Sequence, residues 1–189
     1  MPYMQKTDFY DNPSVRLLWG KIPIEKAFCY IHYRSDSDSH QLLTQLKYNH
    51  RPDLGVWCGR MMARDLAGSG FFDDIDCILP LPLHWKRHIA RGYNQSIELA
   101  KGVAEKTELP ILTGYVRRVR NNETQTHKTM EERIKNVEGL FRLRRTIPYH
   151  HILLLDDVLT TSATLTACAQ AILKEQPDVR FSVLTLAKA

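Results

Sequence analysis

The stretch Leu153-Leu154-Leu155-Asp156-Asp157-Val158-Leu159-Thr160-Thr161-Ser162-Ala163-Thr164 joins an apolar run, an acidic pair and a series of small hydroxyl residues. The run His151 to Leu155 is what a central parallel strand covered on both faces requires, and it ends on an acidic pair. Small hydroxyl residues then open a helix over about Ala163 to Lys174, with Leu165, Cys168, Ala169 and Ile172 at i, i+3, i+4 and i+7. Val179 to Leu186 closes the chain as another strand. Strand, helix, strand at these lengths is a βαβ unit, which predicts an α/β fold with a mostly parallel sheet.

Working outward, Ala27 to Tyr33 alternates as a strand, and Leu42, Leu43 and Leu46 give one face of a short helix. Asp53 after Pro52 reads as the N-cap of a second helix through about Leu66, with Trp57 and Met61 on its inner face. Ile75 to Leu79 reads as a buried strand running into Pro80-Leu81-Pro82-Leu83, where the prolines stop regular pairing. A cation-rich loop follows, then a helix from about Asn94 to Glu105 with Ile97, Ala100 and Ala104 inward. Ile111 to Val119 looks like a strand. Arg120 to Lys128 has no apolar anchor and predicts a mobile loop. Thr129 with Glu132 spells a capping box for a short helix through about Val137, and Gly139 to Leu143 is a strand candidate. Residues 1–26 lack periodicity and read as an extension ahead of one domain over 27–189.

In open α/β sheets ligands bind at the C-terminal edge, where this strand delivers Asp156 and Asp157. The helix that follows offers free backbone N–H groups and a positive dipole end, which favour a phosphate. Carboxylates for ring hydroxyls beside a phosphate cradle suit a ribose 5-phosphate. Neither the nucleotide P-loop spacing nor G-x-G-x-x-G is present. The plainer alternative is a strand end followed by a helix cap.

Four hydrophobic residues, two acids and a Thr-rich loop resemble the phosphoribosyl pyrophosphate (PRPP) signature of type I phosphoribosyltransferases. Two further segments resemble the ComF family, phosphoribosyltransferase-like proteins linked to DNA uptake during competence. One is Pro80-Leu81-Pro82-Leu83-His84, Arg87 and Arg91-Gly92-Tyr93-Asn94-Gln95. The other is Arg118-Val119-Arg120-Asn121, Gln125-Thr126, Glu131-Glu132-Arg133 and Asn136-Val137. The resemblance covers about residues 27–189, in matching order.

The resemblance implies a type I phosphoribosyltransferase fold that binds PRPP with Mg²⁺ and releases pyrophosphate from C1 of the sugar. Asp156 and Asp157 would hold the ribose diol, and Thr160, Thr161, Ser162, Ala163 and Thr164 the 5-phosphate. The backbone near Leu81, with Arg87 and Arg91, would hold pyrophosphate. Arg120 and Lys128 would close over it on the loop. The departures are Ser162 where the family usually has Gly, Lys128 where an apolar residue is common, and no N-terminal four-cysteine zinc finger. Either this branch lost the finger or the sequence begins after it, and no zinc is expected. The other class of reading is an accessory protein for DNA uptake that contacts competence proteins or, more weakly, single-stranded DNA.

The 189 residues carry 26 Lys/Arg against 21 Asp/Glu, a net +5, and the window His84 to Arg145 alone carries +7. Such a local excess fits an anionic partner, or else a solvated basic surface. A hydrophobic fraction of 43% and a charged fraction of 25% exclude a disordered or fibrous chain. No stretch is apolar enough for membrane insertion, no h-region marks a leader, and the cytoplasm is the expected compartment. Cys29, Cys58, Cys77 and Cys168 stand far apart and read as buried thiols. His84 and His88 are at i, i+4, but Lys86 and Arg87 between them would repel a cation, so no metal site is expected.

Overall fold

The structure, a computed structural model, describes residues 8–33, 38–120 and 139–188. In chain order its elements are α1 (Pro13–Arg16), β1 (Ile24–His32), α2 (Asp38–Tyr48), α3 (Pro52–Leu66), β2 (Cys77–Pro80), α4 (Trp85–Arg91), α5 (Gln95–Thr107), β3 (Val116–Arg118), β4 (Phe141–Leu143), β5 (His151–Leu159), α6 (Ala163–Leu173) and β6 (Arg180–Lys188).

The apolar run of β5 lies inside a four-stranded, all-parallel sheet of order β1-β6-β5-β2. Its register runs from His151 opposite Arg180 to Leu159 opposite Lys188, and Cys77–Pro80 pairs with Ile152–Leu155 on the other side. Because strand side chains alternate, Ile152 and Leu154 face one layer and Leu153 and Leu155 the other. The first layer is α6, through Leu165, Cys168, Ala169 and Ile172. The second is α3 and α5, through Met62, Leu66, Leu99 and Val103. Every side chain from Ile152 to Leu155 is therefore fully buried, which is why the run needs no polar alternation. This is the expected α/β class, consistent with a type I phosphoribosyltransferase-like fold. No helix among the described residues is long and apolar enough to cross a membrane.

Several local expectations change. The N-terminal segment is not free of core residues: Val15 and Leu18 are fully buried against the α6 layer. Asn12 explains the docking, since its side chain caps α1 at the Ser14 and Val15 N–H groups while its Nδ2 donates to the Ala27 carbonyl at 2.8 Å. On α3 the inner face holds Cys58, Met62 and Leu66, and Trp57 is 54% exposed, because Gly55 and Gly59 turn the helix toward α5. Asp53 lies inside the first turn, paired with Arg51 at the cap position. The cation-rich loop contains α4, capped by His84 and closed by Gly92 at φ 79°. The expected strand 111–119 divides at Gly114, φ 78°. Ile111 adds one parallel bridge to Ile78, whereas β3 turns away to pair antiparallel with β4. Asn121–Lys128 of the expected mobile loop and the Thr129 capping box lie outside the described residues.

Candidate functional site

Beyond Leu155 the strand is no longer covered on both faces, and Asp156 and Asp157 emerge at its C-terminal end. Asp156 Oδ1 accepts from the Ser96 hydroxyl and the Asp157 N–H, each at 2.9 Å. Asp157 Oδ2 lies 3.3 Å from Lys47 Nζ at the end of α2, where the Tyr93 hydroxyl donates to the Leu46 carbonyl and fixes the helix end. Burial, and then the adjacent Asp157 carboxylate, push the Asp156 carboxyl up to about 7.

A cavity of about 210 Å³ opens here. It brings together Leu81, Arg87, Arg91, Asp156, Asp157, Thr160 and Thr164 from the residues read in the sequence. Four cations, Lys47, Arg87, Arg91 and Arg118, stand against the two carboxylates on its walls. Such a balance suits a polyanion that also carries hydroxyl groups.

Leu81 is a wall rather than an open donor: its N–H goes to the Leu155 carbonyl at 2.9 Å, and its carbonyl accepts from Asn94 Nδ2 at 2.9 Å. Asn94 also caps α5 by accepting from the Ser96 N–H, so one buried amide ties the β2 exit to the helix that carries Ser96. Thr161 is exposed at the loop tip. Ser162 is buried, with φ −31°, so it does not occupy the left-handed region that glycine would favour. Its hydroxyl accepts from Lys21 Nζ at 2.9 Å, and that ammonium also donates to the Leu17 carbonyl at 2.7 Å. A cation from the N-terminal segment thus braces the loop from outside the cavity, with Ala163 opening α6 directly after it. Arg120 is exposed beside Gly139 and is not among the cavity's lining residues; Lys128 lies outside the described residues.

Lys21, Lys47 and Ser96 reach the site from distant segments and carry no local spacing signal, and Arg118 shows in sequence only as the first residue of the Arg118-Val119-Arg120-Asn121 segment. Burial and then the Arg87 charge push the Arg118 guanidinium below its usual value. Among the described residues no group of three or more His, Cys, Asp or Glu could hold a metal ion. All four cysteines are free thiols.

No family model matches the chain. Among curated proteins, it is 29% identical over 136 residues to the DNA utilization protein YhgH of Salmonella typhi, covering 70% of this chain and 60% of that one. It is 32% identical over 102 residues to competence protein F of Haemophilus influenzae, covering 52% of this chain and 44% of the relative. It is 30% identical over 113 residues to competence protein ComFC of Bacillus subtilis, covering 59% and 44%. The chain thus spans between about two fifths and three fifths of the length of these relatives.

Proposed function

The chain belongs to the ComF family, and from that premise we propose that it binds PRPP in the Asp156–Asp157 cavity and serves a competence-related role in handling DNA. The observation that carries the ligand reading is the meeting, in one cavity, of the acidic pair, the Thr160 and Thr164 side of a helix-opening loop, and four cations. The carboxylates accept from the ribose hydroxyls. The loop and the positive end of α6 take the 5-phosphate. Arg87 lies on the wall beside the β2 exit, where the diphosphate would face the cation-lined side.

A magnesium ion fits this donor set only sparsely. It prefers one or two carboxylates plus substrate phosphate oxygens, so it would arrive largely on the diphosphate. Bound there, it would neutralise charge on the leaving group. The protein's part is to fix the sugar, hold both anionic ends and present C1 to an acceptor. Transfer to such an acceptor, with release of pyrophosphate, is the chemistry that these roles would serve. Asp157→Asn is expected to weaken PRPP at least tenfold in calorimetry, through the loss of charged acceptance from the diol; unchanged affinity would count heavily against this site.

A second reading, a non-catalytic accessory role on partner proteins or single-stranded DNA, is favoured by a larger cleft of about 820 Å³ between β4 and α6. Arg142, Arg144, Arg145 and Lys174 line it against Glu175. Backbone neutralisation by such a surface gives sequence-independent, salt-sensitive binding. Single-stranded DNA is expected to bind at low salt and dissociate as salt rises; no binding at low salt removes the DNA part. The two readings are compatible.

A further inference from the structure

Two nitrogen donors on the wall of the Asp156 cavity are buried without a hydrogen-bond partner: Gln95 Nε2 and Arg118 Nε. Orphaned buried donors are rare in folded proteins and mark places where something else completes the bond. Gln95 is 2% exposed, and its orientation is fixed. Its Oε1 accepts from Arg91 Nη1 at 2.9 Å; because a guanidinium only donates, the amide oxygen must face Arg91 and the NH₂ lies on the other side, near the Tyr93 hydroxyl but outside hydrogen-bond geometry with it. Arg91 is in turn held with its guanidinium 5.5 Å over the Tyr48 ring. Arg118 is likewise stacked, 5.6 Å over the Phe141 ring. Both orphans are donors and both line one cavity, so the group that completes them is rich in acceptor oxygens.

We propose that Gln95 and Arg118 are ligand-binding residues that donate to the diphosphate oxygens of PRPP, with Arg91 and Tyr48 as positioning residues that set the Gln95 amide. The assignment rests on the PRPP reading above and adds to it the residues that recognise the leaving group. It also gives Arg91 a second task, because part of its guanidinium is spent on Gln95. The next residue, Ser96, donates to Asp156. The start of α5 therefore links the diphosphate grip directly to the carboxylate that meets the sugar.

The test uses the full chain and two probes, magnesium pyrophosphate and ribose 5-phosphate, titrated by calorimetry. Gln95→Met removes the donor without adding charge, and Arg118→Lys keeps the charge but deletes the Nε–H. Each is expected to lose about tenfold or more in pyrophosphate affinity, the usual consequence of losing a hydrogen bond to a charged group. Ribose 5-phosphate affinity should stay within about twofold, since that probe carries no diphosphate for either donor to meet. Wild-type pyrophosphate affinity in both variants overturns the assignment, and so does an equal loss for both probes, which would mark a structural role. Wild-type protein that binds neither probe overturns the PRPP reading itself, and this assignment with it.

Discussion

Asp156→Asn is expected to make the protein more stable above neutral pH and at the same time to impair the binding of a sugar phosphate. The sign follows from the raised carboxyl. In the unfolded chain it titrates near 3.8, whereas in the fold burial and Asp157 push it to about 7. Between those values the native state holds a proton that the unfolded chain has released, so stability falls as pH rises through this window. Above about 7 the folded carboxylate is charged, desolvated and beside a like charge. Asparagine removes that charge while its Oδ1 can still accept from Ser96. The variant should therefore gain on the order of 1–3 kcal/mol at pH 8, a few degrees in Tm. It should also lose the downward slope between about pH 4 and 7. PRPP affinity should fall by about a hundredfold, since a neutral amide replaces charged acceptance from the diol. Thermal melts across pH, with calorimetry at pH 8, read both effects. A variant no more stable than wild type at pH 8 would contradict the burial argument.

The largest expected loss of stability comes from a position far from the cavity. α3 and α5 approach backbone to backbone at Gly59 and Gly102. A Cβ on Gly102 would sit 2.0 Å from the Val56 carbonyl oxygen and 2.9 Å from the Gly59 Cα. These are main-chain atoms that no rotamer change can move, so Gly102→Ala must separate the helices. Overpacking of this kind costs about 1–3 kcal/mol, or roughly 2–4 °C of Tm per kcal/mol for a chain of this size. Because α5 carries Asn94, Gln95 and Ser96 at its start, the displacement should reach the cavity and reduce ligand affinity as well. Chemical denaturation measures the first effect. A Gly102→Ala protein with an unchanged midpoint would show that the two helices can part without penalty.

The legible part of the fold was its centre. A five-residue run with no polar residue after His151, and a helix with apolar residues at i, i+3, i+4 and i+7, state their burial directly in sequence. The helix expected over about Asn94 to Glu105 is Gln95–Thr107, legible from its periodic run, with Asn94 standing just ahead of it as the cap. The segment 84–92 was hidden because α4 buries no side chain, leaving no apolar stripe to detect; Trp85 and Ile89 are 55% and 73% exposed. The inner face of α3 was misread because its closest contact is made by glycines, which carry no hydrophobic signal. Residues 1–26 read as an extension because Val15 and Leu18, within their described part, belong to a single turn and a loop rather than a periodic element. Among the residues lining the cavity, Asp156, Asp157, Thr160 and Thr164 were legible because they lie in one contiguous stretch, whereas Thr161 from the same stretch stands exposed at the loop tip. Lys21 and Lys47 were not legible, since only the tertiary fold brings them to the loop and the carboxylates, and the segment that begins at Arg118 gave no signal of that residue's place on the cavity wall.

The ligand proposed for the cavity at the end of β5 is a phosphorylated ribose that carries a diphosphate. The most direct measurement is the heat of binding of PRPP with Mg²⁺ to the wild-type protein, beside ribose 5-phosphate and pyrophosphate alone. Micromolar, magnesium-dependent binding of PRPP, tighter than either fragment, is the predicted result. No binding of PRPP under conditions where the protein is folded would contradict the account and leave the fold serving interaction alone.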